Sequence, residues 1–308
     1  MKSTESEIPG TPDGEFNSLL SLLDDPDDRI ASAVEERLRQ RGPLVLNPLL
    51  DFIDLSADDL AKRRATVLAK EFNETILLDE FTALRRKIDQ KKRGALEEGA
   101  FLVARHAYPR LDKDFYSAEL DALSGMLLDR IKGIMAPSEV LRAMNEFFFR
   151  EKGFRGNHDN FHDPDNSYIN QVLDRRIGIP ISLSVIYVLV AGHRLGLPIS
   201  GVSTPGHFLI RYDGICEEPL FVDAYNNGTI LREKDIKKFL YSSGLPYYES
   251  FIRPASARMI LLRMIRNLIV LYRDSKDTDS QTSFEKFQSA LLGRKHNQEQ
   301  DPAGDIFE

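Results

Sequence analysis

The sequence predicts an α+β protein that is mainly helical, on three observations. Apolar residues recur at helical spacing along most of the chain. Between positions 153 and 178 the composition shifts to Gly, Asn, Asp and His, the residues of loops. Three short β-type runs follow, bounded by Asp213-Gly214 and Asn226-Asn227-Gly228. The architecture implied is a helical N-terminal region, a core of one buried helix with a small antiparallel sheet, and C-terminal helices.

Residues 1–15 are polar, rich in Ser, Thr, Glu, Pro and Gly, and read as a disordered tail. Residues 16–90 read as helices. Leu19, Leu20, Leu22 and Leu23 give an apolar face, and Asp24-Asp25-Pro26-Asp27-Asp28 supplies a turn with capping side chains. Ile30, Ala33, Val34 and Leu38 make one side of the next helix, which Gly42-Pro43 stops. Leu46, Leu49, Leu50 and Ile53 begin another, and Leu60 to Leu84 continues the pattern. This order resembles a HEAT-type helical repeat, whose units bury their faces on stacked neighbours.

The domain expected over 91–250 follows Gln90-Lys91-Lys92-Arg93, a short basic stretch read as a solvated linker. Helices are expected at Leu96–His106, Lys113–Lys132 and Pro137–Arg150, with Pro109 and Pro137 as punctuation. A short helix is expected around Ile169–Leu173 and a buried one over Ile179–Leu195. The β-runs are Ile199–Ser203, His207–Tyr212 and Leu220–Tyr225. Helices resume at Glu233–Tyr241, Ala257–Arg273 and Phe284–Leu292, so residues 251–293 form a C-terminal helical region; 294–308 reads as a second disordered tail.

The bulk chemistry narrows the function. With 308 residues, 42% hydrophobic and 29% charged, the chain can bury a substantial core. Its net charge of −7, with no basic block, argues against nucleic acid and anionic membranes as partners. The start MKSTESEIPGTPDGEF holds no apolar run, and the apolar stretch Ile177–Gly192 is too short to span a bilayer. A lone cysteine, Cys216, permits no internal disulfide, so a cytoplasmic location is expected.

His207 starts one β-run and Asp223 lies on the next, equidistant from position 215 in the connecting turn. A simple hairpin centred there sets them opposite each other, where the carboxylate can orient the imidazole. The surrounding stretches, Asp163-Pro-Asp-Asn-Ser-Tyr168, Arg176-Ile-Gly-Ile-Pro-Ile-Ser-Leu-Ser184, Pro205-Gly-His-Phe-Leu-Ile-Arg211 and Phe221-Val-Asp-Ala-Tyr-Asn226, resemble the bacterial SirB-type transglutaminase-like family, as do Leu96-Glu-Glu-Gly-Ala100 and Arg263-Met-Ile-Arg-Asn-Leu268. The resemblance covers about residues 95–272. It implies a papain-type core in which a cysteine opens the buried helix, with a His and an Asp on successive strands. His207 and Asp223 match the last two. Counted back from Gly196, the nucleophile falls at about Ile181 or Ser182, and neither is a cysteine. In fuller family members the C-terminal helices lead into tetratricopeptide repeats; here only the first helix or two are expected.

Ser182 has two readings: a substitute nucleophile near a helix N-terminus, or a cap for that helix after Pro180. Cys216 lies in the turn between the two strands, beside Glu217 and Glu218, and is expected to be dispensable. His158 and His162 have a spacing that suits a metal on a helix, but they sit in loop sequence without further ligands, so no metal or cofactor is expected. Glu97 and Glu98 favour a helix N-terminus, His106 and Tyr108 read as packing or capping groups, and Met259, Met264 and Ile265 as core. The leading functional expectation is a non-catalytic module that holds a peptide or protein partner in a cleft around His207 and Asp223. The alternatives are a hydrolase or acyltransferase using Ser182, His207 and Asp223, and a scaffold working through the N-terminal helices.

Overall fold

The computed structural model describes residues 14–214 and 218–294. They divide into two compact units, one ending at Glu80 and one starting at Phe81.

The first unit is helical. After α1 (Gly14–Ser21), Asp27 caps α2 (Asp28–Arg41) by accepting the Arg29 amide at 2.9 Å. α3 (Leu46–Leu55) and the part of α4 (Asp59–Asp89) up to Glu80 complete it. Leu23, Leu38, Leu49, Ala65 and Leu68 are fully buried and form its centre. The inward face of α2 differs from the expected one: Ala31, Val34 and Leu38 are buried, whereas Ala33 is exposed and Ile30 is 42% exposed. Neighbouring residues on a helix lie about 100° apart, so choosing Ile30 over Ala31 rotated the expected stripe outward.

In the second unit, α5 (Ala95–Arg105), α6 (Lys113–Ile131) and α7 (Pro137–Asn145) precede a wider π turn at Glu146–Glu151. Two two-residue strands, β1 (Arg155–Gly156) and β2 (Ile177–Gly178), pair in parallel across α8 (Ile169–Arg175). They are too short to leave a periodic signal, and this stretch had been expected as loop apart from its helix. α9 (Pro180–Tyr187) continues as a π segment, Val188–Arg194, and is buried without a break from Ile181 to Ala191. A helix apolar on all sides belongs inside a core.

α9 lies against an antiparallel sheet of β3 (Ile199–Thr204), β4 (His207–Tyr212), β5 (Leu220–Asp223) and β6 (Thr229–Leu231), in that order. β6 was not expected; three residues after the Asn-Asn-Gly turn carry too little alternation to declare a strand. Val202, Leu209 and Phe221 on one face pack with Ile236 and Leu240 of α10 (Glu233–Ser242). α11 (Ala257–Ser275) and α12 (Thr278–Leu292) close the unit, with Tyr272 stacked on Phe284 at 5.9 Å. Met264 and Ile265 are core as expected, but Met259 is 52% exposed. A Cβ at Gly99 would meet a Leu261 methyl carbon at 2.4 Å, so the glycine lets α5 approach α11. His106 packs 4.6 Å from Phe284, and the Tyr108 hydroxyl donates to Asp165 at 2.6 Å. Arg194, at the end of the π segment, reaches Glu97 on α5 at 2.8 Å and Asp121 on α6 at 2.5 Å.

Candidate functional site

The β3–β4 turn sets the position of the histidine. Thr204 pairs with His207, leaving Pro205 and Gly206 as the corners. Proline cannot take a positive φ at the first corner, so Gly206 supplies it at the second, with φ +70°. His207 therefore opens β4 directly after a fixed turn.

Asp223 ends β5. The ladder pairs Ile210 with Val222 and Tyr212 with Leu220. Extended by one residue, it sets Asp223 opposite Leu209, not opposite His207 as expected. The shift is two residues, and strand side chains alternate with period two, so both groups still share a face. The side chains close the diagonal: His207 Nε2 lies 2.9 Å from an Asp223 carboxylate oxygen. The ring does not aim its N–H along that line, and Nε2 makes no hydrogen bond of acceptable angle. The contact is a close approach of ring and carboxylate rather than an aligned hydrogen bond.

Asp223 is only 6% exposed, and its oxygens also accept the amides of Tyr225 and Asn226 at 3.1 Å and the Asn226 side-chain amide at 2.7 Å. Burial pushes its pKa up; His207 and the Asn226 donors outweigh this and hold the carboxyl below the usual range. Asn226 was not singled out from the sequence, although its place three residues after Asp223, in a turn, was the available signal.

Ser182 occupies the third position of α9, with Pro180 at the first. Its hydroxyl accepts the Ile179 amide at 3.1 Å and donates to the Asn166 carbonyl at 2.6 Å. The side chain is 1% exposed and is engaged by backbone groups on both counts. Asn166 is itself fully buried and donates to the Asn160 carbonyl at 2.8 Å, so it joins the 157–163 loop to the start of α9. Sequence reading missed this linking role.

A cleft of about 680 Å³ opens beside His207. Pro180 and Ile181 of α9, residues of α11, and Phe161 and His162 of the loop line it. Ser182 and Asp223 are not among the lining residues; Asp223 stands behind the imidazole. The structure thus joins His207 to Asp223, sets Ile181 on the cleft wall, and keeps the Ser182 hydroxyl within the protein. Phe239 of α10 adds an exposed ring 6.3 Å from His207.

His158 stacks obliquely on Tyr225 at 4.5 Å, and His162 meets Phe161 edge-on at 5.5 Å. Among the described residues no group of three or more His, Cys, Asp or Glu side chains converges as a metal site. Cys216 lies outside the described residues.

A buried helix against an antiparallel sheet that carries a His–Asp pair defines the class of protein. Residues 114–266 match the transglutaminase-like superfamily, so the chain carries a domain of that superfamily. Its relatives are bacterial proteins of the SirB type and a eukaryotic F-box protein. It is 38% identical over 189 residues to a UPF0162 protein of Xylella fastidiosa, covering 58% of this chain and 66% of the relative. It is 27% identical over 144 residues to protein SirB1 of Salmonella typhimurium, covering 46% of this chain and 53% of that protein. Human F-box only protein 21 is 28% identical over 204 residues, covering 56% of this chain and 32% of the relative. No solved structure matches the chain. Among the described residues no helix is long and apolar enough to cross a membrane.

Proposed function

We propose that this protein is a non-catalytic transglutaminase-like module, acting in the cytoplasm, that holds a peptide or protein partner in the cleft beside His207 and Asp223. The observation that carries this reading is the fate of the nucleophile position. Ile181 lines the cleft and has no reactive group, while the Ser182 hydroxyl is buried and engaged with Asn166 and Ile179. A serine hydroxyl is a weak nucleophile and needs a base placed on it; here its proton goes to a backbone carbonyl. What remains is an imidazole held by a carboxylate, beside an apolar wall, with the groups to bind a peptide but none to attack it. The net charge of −7 gives no support to a nucleic-acid partner.

The His207–Asp223 contact favours a second reading, acyl transfer through Ser182. One experiment separates the two. The purified protein and its Ser182→Ala variant are offered serine-reactive fluorophosphonate probes and ester, acyl and peptide substrates. The expected result is no labelling at Ser182 and no turnover. In the same variant, loss of the bonds to Asn166 and Ile179 is expected to lower stability by about 1–3 kcal/mol in urea denaturation. Labelling at Ser182, or turnover that vanishes in the variant, makes the protein an enzyme.

A further inference from the structure

We propose that the partner segment in this cleft is acidic, selected by an arginine wall on α11; this rests on the binding reading above. Arg263, Arg266 and Arg273 line the cleft together with Arg294, against one carboxylate, Glu285. Offsets of three, seven and ten residues put the α11 arginines on one stripe of the helix with Val270. Arg266 is exposed and has no ion-pair partner among the described residues. Arg273 is 58% exposed and, among the described residues, its ion-pair partner is its neighbour Asp274, at 3.6 Å. Glu285 accepts from Gln281 at 2.8 Å. Arg266 and Arg273 thus place two exposed guanidinium groups on the wall of the cleft that also holds His207. Guanidinium forks match carboxylates in bidentate geometry, so the wall suits Asp and Glu side chains. Ile179, Pro180 and Ile181 add an apolar part to the lining that suits the aliphatic parts of a peptide. The α11 stripe carries no aromatic ring of the kind on which a single-stranded nucleic acid stacks its bases; the exposed ring of the cleft, Phe161, lies on the loop.

The test is fluorescence anisotropy on the full chain, with labelled short peptides alternating Ala with Glu, Gln or Lys, and a labelled thymidine oligonucleotide. Arg266→Glu and Arg273→Glu are the wall variants; both side chains are exposed, and circular dichroism checks their folding. Val270→Trp, at a 37% exposed cleft position, blocks the cleft without changing its charge. The Glu peptide is expected to bind at least about tenfold more tightly than the Gln peptide at about 50 mM salt, with the difference shrinking at about 300 mM. Either arginine reversal should erase the difference. Equal binding of the Glu and Gln peptides, blocked by Val270→Trp, overturns the acidic preference and leaves cleft binding standing. Binding of all peptides unchanged by Val270→Trp, or no binding of any, overturns the cleft reading as well. An oligonucleotide that binds more tightly than the Glu peptide and is lost in Arg266→Glu assigns the wall to nucleic acid and overturns the proposal.

Discussion

At the scale of single residues, Asp223 is the most heavily committed polar group in the site: three donors and the His207 ring converge on a carboxylate that is 6% exposed. Its lowered pKa fixes the sign of a pH effect. An ordinary unfolded Asp titrates near 3.9, so a depressed folded value means stabilisation that is fully present above that pH and lost as pH falls through the folded value. Asp223→Asn removes the charge and turns an amide toward the donors. It is expected to cost about 1–3 kcal/mol near pH 7, and the gap to the natural protein should narrow as pH falls below about 4. Urea denaturation at the two pH values checks this. A gap that stays constant would show that ionisation of Asp223 contributes nothing.

At the scale of elements, α2 shows how much of a helix face the sequence reveals. Leu38 is fully buried and Ile30 is 42% exposed, though both are large apolar residues on the same helix. Leu38→Ala is expected to destabilise by about 2–5 kcal/mol, the range for a buried leucine. Ile30→Ala should change stability by no more than about 0.5 kcal/mol, the surface range. Thermal or urea unfolding of the two variants decides, and equal costs would show that the buried stripe is misplaced. The sheet repeats the lesson. Its first three strands were legible from their β-branched and aromatic content, whereas the register between β4 and β5 was not, because strand composition does not specify which residues pair. Only the period of two protected the His207–Asp223 pairing from that error.

At the scale of the whole domain, polar links between distant segments hold the helices around α9. Arg194, with its side chain 14% exposed, ties the end of the buried helix to Glu97 and Asp121, far apart in sequence. Arg194→Met keeps the stem but leaves Glu97, itself 18% exposed, without its cation. A loss of about 1.5–3 kcal/mol is expected in urea denaturation, discounted for the exposed Asp121 partner. No loss would show that apolar packing alone holds α5, α6 and the π segment together. The Tyr168 and Tyr272 hydroxyls make a similar buried link at 2.5 Å, from the loop before α8 to α11.

The sequence by itself determined the mainly helical α+β class, nearly every helix of the second unit and the first three sheet strands, because apolar periodicity and Gly/Pro punctuation act locally. It also marked His207 and Asp223 as partners by their equal distance from the turn, and because the true register differs by two residues, strand alternation left both on one face. It left Ser182 between nucleophile and cap, because both roles use the same residue at the same helix end. Tertiary structure supplied what bears on that choice: the Asn166 carbonyl that takes the serine proton comes from sixteen residues upstream. The arginine wall was likewise invisible as a feature. Arg263, Arg266 and Arg273 read as ordinary charges on a helix, and they join one cleft lining only when α11 packs near Pro180 and Ile181. Local rules fix the elements; which side chains meet depends on long-range packing, and the chemistry of the cleft lies there.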